Sequence, residues 1–399
     1  MLTGKTVLLG ISGSIAAYKI AQLASSLKKL NADVHVLMTE NATKFISPIT
    51  FETLTENRCI VDTFDRETGF NVAHVDLAKK ADIFVLAPAT ANVIAKVVHG
   101  LADDMVTTTF LACTCPKYIA PAMNTHMYNN KITLDNIHKC KCDFNFNIIN
   151  PSNGYLACGE VGDGKMTEPD VILEYIIKEI AFKHDLEGRN ILITAGPTKE
   201  SIDPVRFITN KSTGKMGYAL AKMASYRGAN VTLITGEVSL EAPIFTSVLE
   251  VSSAKDMFEA IQYCYEKYDI IIKAAAVADY RPVKVHDDKI KKSDNDMSIE
   301  LERTDDILNW LGQHKGNGQL LCGFSMETRD LIENSKKKLK KKNLDMIVAN
   351  NLKVEGAGFG TDTNVVTVIT ESNEVPLKKM SKDEVANEIL SRLVYGNYS

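Results

Sequence analysis

Lys5-Thr-Val-Leu-Leu-Gly10-Ile-Ser-Gly13-Ser14-Ile-Ala-Ala is a short apolar run, a turn of glycine and serine, and the start of a helical pattern. Arg189-Asn-Ile-Leu-Ile-Thr194-Ala-Gly196-Pro-Thr198 repeats that opening in the second half of the chain. Each reads as a first strand feeding a glycine turn. After the first, the period predicts a helix over about 16–29, a strand over 33–38 and a buried strand over 83–87 that ends at Pro88. After the second it predicts a helix over about 216–227, a strand over 230–234, a helix over 255–265 and a strand over 269–272. Apolar runs of this length alternating with helices imply parallel sheets covered on both faces, with ligands at the carboxyl ends of the strands. The expectation is an α/β protein of two Rossmann-like three-layer domains with mainly parallel sheets. The charged stretch Phe182-Lys-His-Asp-Leu-Glu-Gly188 precedes the second first-strand, which sets the domains at 1–186 and 187–399.

The bulk properties agree. A chain of 399 residues exceeds the size at which one core keeps growing. Hydrophobic residues make up 45% and charged residues 24%, as in globular proteins with sizeable cores. The formal charge of -4 lacks the basic surplus of nucleic-acid binders, so no nucleic-acid partner is expected. The N-terminus runs straight into a strand rather than a secretory signal, and no apolar run reaches the roughly twenty residues that span a bilayer. A cytoplasmic protein with no membrane partner is expected. Its eight cysteines, Cys59, Cys113, Cys115, Cys140, Cys142, Cys158, Cys264 and Cys322, then read as thiols. The two Cys-x-Cys pairs lack zinc spacing.

In the first half, small residues at Gly13-Ser14 place backbone amides at a helix start, where a phosphate can bind. The turn lacks both the full dinucleotide glycine spacing and the P-loop lysine, so a mononucleotide fits better. Thr39 and the run Ala87-Pro-Ala-Thr90-Ala-Asn92 add hydroxyls and an amide at later strand ends. His74, Asn124 in Pro121-Ala-Met-Asn, and Cys158 in Ala157-Cys-Gly-Glu-Val-Gly-Asp-Gly-Lys-Met166 complete the candidates. Three glycines within six residues of Cys158 predict a mobile flap that closes a thiol over a ligand.

In the second half, Asp203-Pro-Val-Arg206-Phe-Ile-Thr-Asn210-Lys-Ser-Thr-Gly214-Lys-Met-Gly217 is a polar loop entering a helix. The Arg206 fork suits a phosphate or carboxylate, and Asn210 suits an oxyanion. Lys273-Ala-Ala275-Ala-Val-Ala-Asp279-Tyr lets a base or ribose approach beside a carboxylate. Lys289 stands where it can neutralise a pyrophosphate leaving group. In the run Lys336-Lys-Lys338-Leu-Lys340-Lys-Lys342, Lys338 and Lys342 share one helix face; the run reads either as a solvated face or as a phosphate site.

Taken in series, Ser-Gly-Ser-Ile-Ala-Ala-Tyr-Lys, Ala-Pro-Ala-Thr-Ala-Asn, Pro-Ala-Met-Asn and Ala-Cys-Gly-Glu-Val-Gly-Asp-Gly-Lys-Met resemble the flavin-containing cysteine decarboxylases, in order and spacing those acting on 4′-phosphopantothenoylcysteine, over about residues 4–180. The resemblance implies FMN held around Gly13, Ser14, Thr39, Thr90 and Asn92. It implies an active-site set in which Asn124 binds the departing carboxylate, His74 acts beside flavin and substrate, and Cys158 returns a proton. Oxidation of the substrate thiol would create a C=S electron sink for the decarboxylation, the step that requires the cofactor.

Gly196-Pro-Thr, Asp203-Pro-Val-Arg, Lys-Ser-Thr-Gly-Lys-Met-Gly217, Ala-Ala-Val-Ala-Asp279-Tyr, Lys289-Ile-Lys-Lys and Gly323-Phe324 resemble phosphopantothenate–cysteine ligases over about residues 188–395. Both halves in this order resemble the bacterial bifunctional enzymes of coenzyme A synthesis. The implied ligase reaction uses CTP and Mg2+ to activate 4′-phosphopantothenate as an acyl cytidylate, which cysteine converts to phosphopantothenoylcysteine and CMP. Ala275, Asp279, Lys289, Asp305, Asp306, Ile307, Leu308, Phe324, Lys338 and Lys342 are the implied nucleotide contacts. Arg206 and Asn210 are assigned to substrate, and Asn210 and Lys289 to catalysis; no metal ligand is assigned. Arg303-Thr-Asp305-Asp306 lacks the proline common before that aspartate, and Phe324-Ser-Met-Glu327 lacks the usual alanines, which leaves base choice open between CTP and ATP. The resemblance further implies a homo-oligomer, with trimer contacts among flavin domains and dimer contacts among ligase domains, up to a dodecamer. Two other readings compete: a flavoprotein scaffold without turnover, and an NAD-linked oxidoreductase.

Overall fold

The computed structural model describes residues 1–64, 73–155, 161–291, 297–326, 330–350, 358 and 360–396. The chain divides into two compact units, Met1–Lys183 and His184–Ser399. Among the described residues, no helix is long and apolar enough to cross a membrane.

The first unit is built on a five-stranded, all-parallel sheet. Its order is Asp33–Met38, Thr6–Ile11, Ile83–Ala89, Lys117–Pro121, Asn147–Ile148. Alternation along the strands sorts their side chains into two cores. Val7, Leu9 and Ile11 join Ile20, Leu23 and Leu27 of the helix Ile20–Lys29 and Ile172 and Ile176 of the helix Pro169–Ile180. Leu8 points the other way, with Phe84 and Leu86, toward Val93 and Ile94 of the helix Ala91–Val98 and Val106 and Phe110 of the helix Met105–Ala112. With each large aliphatic worth roughly 1.5–3 kcal/mol on burial, two such faces hold a central strand in place. The expected strand 33–38 stands as Asp33–Met38. The expected helix 16–29 begins instead as a 3-10 turn, Ile15–Lys19, capped by the Ser14 hydroxyl.

The second unit carries an eight-stranded sheet. Its order is Thr246–Glu250, Asn230–Thr235, Asn190–Ala195, Ile270–Lys273, Leu320–Met326, Met346–Asn350, Val366–Ile369, Glu374–Pro376. The first six strands are mutually parallel and the last two pair antiparallel. One face packs Leu192, Ile271 and Ile347 against Met257 and Ile261 of the helix Ala254–Cys264, Leu308 and Leu311 of Ile307–His314, and Leu339 of Leu331–Lys341. The helices Lys215–Tyr226 and Lys382–Tyr395 pack on each other, and the first of them lies against the strands Asn190–Ala195 and Asn230–Thr235. Gly217 permits this approach, because a Cβ there would lie 2.5 Å from the Cβ of Ala195. Both units are α/β with helices on both sheet faces, as the alternation of runs predicts.

Candidate functional site

In the first unit, the predicted flavin residues gather at the carboxyl ends of the three strands Asp33–Met38, Thr6–Ile11 and Ile83–Ala89. Gly13 lies so close to the loop after Met38 that a Cβ would sit 2.7 Å from the Cβ of Asn41. The polar side chains here are engaged in holding main chain. Ser12 donates to the Pro88 carbonyl at 2.7 Å and accepts the Thr90 N–H at 3.1 Å. Ser14 accepts the Ala16 N–H at 3.3 Å, Thr39 accepts that of Ala42 at 3.3 Å, and Thr90 caps Ala91–Val98 by accepting from Val93 at 3.4 Å. Asn92 is exposed on the first turn of that helix. The result is a set of loops with helix starts at one sheet edge, positioned by hydroxyls and too tight at Gly13 for any side chain.

Asn124 follows the strand Lys117–Pro121, and its Oδ1 accepts the His126 N–H at 2.8 Å. His74 is half-buried on the helix Ala73–Lys80. Cys158 lies outside the described residues. The strands flanking it, Ser152–Tyr155 and Val161–Lys165, form an antiparallel hairpin that packs against the Asn124 segment. Two of the three glycines have a packing reason. A Cβ on Gly162 would meet the Thr125 hydroxyl at 2.7 Å, and one on Gly164, at φ +113°, would meet the Met123 carbonyl at 2.5 Å. Met123 N–H in turn donates to the Gly164 carbonyl at 3.0 Å. These two glycines let the hairpin lie directly on the loop carrying Asn124; Gly159, like Cys158, lies outside the described residues.

In the second unit, a cavity of about 680 Å³ opens at the carboxyl ends of the strands, lined among others by Asn210, Ala275, Asp279, Asp305, Asp306, Ile307, Leu308, Phe324, Lys338 and Lys342. Every predicted nucleotide contact except Lys289 is on this wall. The alanine-rich segment after Lys273 is pinned from both sides. Thr194 and Thr198 hydroxyls accept the N–H groups of Ala275 at 3.2 Å and Ala278 at 3.0 Å, and Thr304 donates to the Ala278 carbonyl at 2.6 Å. Thr198 is thereby buried and structural, so the Gly196-Pro-Thr turn serves packing. Asn210, exposed on the wall, donates from Nδ2 to the Ala276 carbonyl at 2.8 Å.

The lysine run splits. Lys338 and Lys342 are half-buried on the cavity, whereas Lys336, Lys337, Lys340 and Lys341 are exposed. Lys342 pairs at 2.9 Å with Asp306, which also caps Ile307–His314 by accepting from Asn309. Burial works against the Asp306 carboxylate, but Lys342 and the Asn309 N–H outweigh it and hold its pKa below the ordinary range. Three further lysines on the wall, Lys215, Lys273 and Lys382, were not singled out in sequence as ligands, nor were Asn350 and Asn364. A lysine closing the isoleucine run of a buried strand was the available signal for Lys273.

Lys289 and Arg206 are not part of the wall. Lys289 is exposed on the loop after the strand Tyr280–Pro282. The Arg206 fork is turned onto Asp203, with Nε at 2.9 Å and Nη2 at 2.5 Å, and Nη2 also donates to the Ile290 carbonyl at 3.0 Å. Asp203 accepts the N–H groups of Val205 and Arg206, each at 2.9 Å, and that of Ile290 at 3.2 Å. This cluster ties the segment carrying Lys289 to the loop that leads to Asn210.

Residues 1–181 match the model of the flavoprotein family, and residues 186–395 match that of the DNA/pantothenate metabolism flavoprotein C-terminal domain. The coenzyme A biosynthesis bifunctional protein CoaBC of Bacillus subtilis (strain 168) is 50% identical over 399 residues, covering 98% of this chain and 97% of that one. Its counterpart in Borreliella burgdorferi is 43% identical over 391 residues, covering 98% and 99%. A crystal structure of the C-terminal domain of a coenzyme A biosynthesis bifunctional protein CoaBC shares 47% identity, covers 52% of this chain and 94% of that chain, and aligns with a TM-score of 0.45.

Proposed function

The chain belongs to the family of bifunctional coenzyme A biosynthesis proteins, and on that premise we propose a division of labour in which the first unit is the FMN-dependent phosphopantothenoylcysteine decarboxylase and the second, from His184, the CTP-dependent phosphopantothenate–cysteine ligase. The protein is an enzyme with both activities, and its first half is a flavoprotein domain. The observation that carries the ligase assignment is the single cavity of about 680 Å³ whose wall gathers the expected nucleotide residues, from Ala275 to Lys342.

In the ligase, a carboxylate oxygen of 4′-phosphopantothenate attacks the α-phosphorus of CTP and pyrophosphate departs. The cysteine amine then attacks the acyl carbon, and CMP leaves as the amide forms. Lys338 and Lys342 balance the polyphosphate charge. Asn210, already aimed by its bond to Ala276, donates toward the oxygen that gains charge at the acyl carbon. Ala275 leaves room for the base, and Ile307, Leu308 and Phe324 give that region its apolar wall. Lys289 and Arg206 stand off the wall, so their contact with substrate requires the Ile290 segment to approach the cavity. Mg2+ would accompany the triphosphate; Asp279 and Asp305 are exposed carboxylates on the same wall, the oxygen donors a hard cation takes.

In the decarboxylase, the loops at Gly13, Ser14, Thr39, Thr90 and Asn92 fit a flavin mononucleotide, because a side chain at Gly13 would fill the space between two of them and helix starts supply N–H groups to a phosphate. Bound flavin supplies a two-electron oxidation of the substrate thiol and its reversal. Asn124 holds the carboxylate that is lost as CO2, His74 acts beside the reacting sulfur, and Cys158 gives a proton to the product carbon. Homo-oligomerisation is part of the reading. Ile49, Leu101 and Ile132 in the first unit and Val205, Phe207 and Leu301 in the second are exposed apolar side chains that assembly would cover.

Incubation of the purified protein with 4′-phosphopantothenate, cysteine, CTP and Mg2+ should yield 4′-phosphopantetheine, CO2, CMP and pyrophosphate. Equal rates with ATP would defeat the cytidine assignment, and protein that stays colourless after flavin is added would defeat the decarboxylase assignment.

A further inference from the structure

In the second Cys-x-Cys pair of the chain, the fold sends the two thiols in different directions. Cys140 and Cys142 both lie on the last turn of the helix Lys131–Cys142 in the first unit. Cys140 is fully buried in the core that holds Phe110 and Ile119, whereas Cys142 is exposed. On a helix, residues two apart face well away from each other and residues four apart share a face. The side chain that meets Cys142 is therefore His138, one turn back, with its Nε2 3.6 Å from the Cys142 Sγ. His138 is exposed as well, so the packing of the domain requires neither group.

A thiolate sulfur and an imidazole nitrogen are donors that borderline and soft ions take in preference to hard ones. A Zn–S bond of about 2.3 Å and a Zn–N bond of about 2.0–2.1 Å, set at the tetrahedral angle, put the two ligand atoms about 3.5–3.6 Å apart. The observed separation is the bite that one such ion requires. Between two exposed groups, by contrast, a weak thiol–imidazole hydrogen bond adds little to stability.

The surroundings set the character of the site. Asp135, three residues before His138 on the same stripe, is exposed, and its carboxylate can accept a hydrogen bond from a metal-bound water. The carbonyl dipoles at the end of the helix favour a cation, while the exposed Lys139 and Lys141 on either side of the stripe oppose one. Among the described residues no group of three or more His, Cys, Asp or Glu side chains is placed to hold a metal ion, so the site has two protein ligands and is otherwise open to solvent.

We propose that His138 and Cys142 form a bidentate surface site for a thiophilic divalent cation such as Zn2+. The imidazole binds through Nε2, the thiol releases its proton to solvent as Sγ binds, and water fills the remaining positions. The site is distinct from any Mg2+ that accompanies the nucleotide, because a hard cation takes oxygen ligands.

Alkylation of Cys142 by iodoacetamide, followed by peptide-resolved mass spectrometry, would be timed in the full-length protein and in its H138A variant, each without added metal, with Zn2+ and with Mg2+. Coordination occupies the sulfur, so Zn2+ should slow alkylation of Cys142 in the wild type roughly tenfold or more. Loss of one of two ligands should raise the half-protecting Zn2+ concentration in H138A by at least about tenfold. Mg2+ should leave the rate unchanged in both. Because His138 is exposed, H138A should unfold at the wild-type temperature, which keeps the comparison between two folded proteins. Undiminished Zn2+ protection in H138A overturns the proposal, as does absence of protection in the wild type at millimolar Zn2+, or equal protection by Mg2+.

Discussion

The two halves use one architecture to present ligands with opposite kinds of surface. At the strand ends of the first half, the hydroxyls of Ser12, Ser14, Thr39 and Thr90 are spent on neighbouring main chain, and glycines let loops close on one another. What remains to meet a ligand is largely backbone, so function there depends on where loops lie. In the second half the side chains themselves face the cavity, with lysines, aspartates and Asn210 around an alanine-rich segment. Damage to the first half should therefore act through geometry, and damage to the second through individual charges and donors.

The largest effect is expected from Asn210→Ala. It removes a donor from the cavity wall at an exposed position, so ligation should fall on the order of a hundredfold to a thousandfold with little change in unfolding temperature. Decarboxylation of supplied phosphopantothenoylcysteine should continue at the wild-type rate. Parallel loss of both activities would break the comparison, because it would mean that the halves are not chemically separate. Arg227→Met comes next and acts on stability alone. The Arg227 side chain is 4% exposed; its fork donates to both Asp185 oxygens at 2.9 and 2.6 Å, and Nη1 reaches Ser391 at 2.9 Å, joining the start of the second unit to its last helix. Removing it takes the guanidinium donors from the Asp185 carboxylate, which keeps the Tyr395 hydroxyl at 2.7 Å, and should cost about 2–3 kcal/mol. Denaturant unfolding should show the loss in the transition that carries ligation, and a shift confined to the flavin transition would contradict the assignment of Asp185 to the second unit.

Gly164→Ala tests the geometric side. The new Cβ meets the Met123 carbonyl at 2.5 Å from a backbone at φ +113°, a strain of about 1–3 kcal/mol. The hairpin must lift off the segment that carries Asn124, so CO2 release should drop while ligation is retained. A variant with full CO2 release would show that the hairpin's seat on this loop is immaterial to the chemistry.

Much of this was legible in sequence because both central strands are flanked by unambiguous periodicity. The strand 33–38 and the helices near 216–227 and 255–265 need only local pattern, and they stand as Asp33–Met38, Lys215–Tyr226 and Ala254–Cys264. The antiparallel end of the second sheet, Val366–Ile369 with Glu374–Pro376, is a matter of long-range pairing that no local signal encodes. The same holds for the cavity. Lys338 and Lys342 could be paired by helical spacing, but Lys215, Lys273 and Lys382 come from separate elements and meet only through the fold. Close contacts at Gly162 and Gly164 look, in sequence, the same as freedom to move.

The smallest expected effect concerns the cluster that ties Lys289 to the Asn210 loop. Hydrogen bonds from Arg206, with further N–H groups from Val205, Ile290 and Arg206, outweigh burial and hold the Asp203 carboxyl well below the usual carboxylate range. A depressed carboxyl favours the folded state above its unfolded pKa, near 3.9, and that contribution disappears as pH falls through the folded value. Asp203→Asn removes the charge at every pH. The variant should be less stable than wild type at neutral pH, and the gap in urea midpoint should narrow steadily below about pH 4, where the unfolded wild-type chain takes up a proton at this carboxyl and the folded one does not. A gap independent of pH would assign the role of Asp203 to shape rather than charge. Because Ile290 is bonded through both its N–H and its carbonyl to this pair, the variant should also bring a modest rise in KM for the nucleotide without a matching fall in kcat. That split distinguishes a loosened Lys289 segment from a damaged cavity wall, where binding and turnover would fall together.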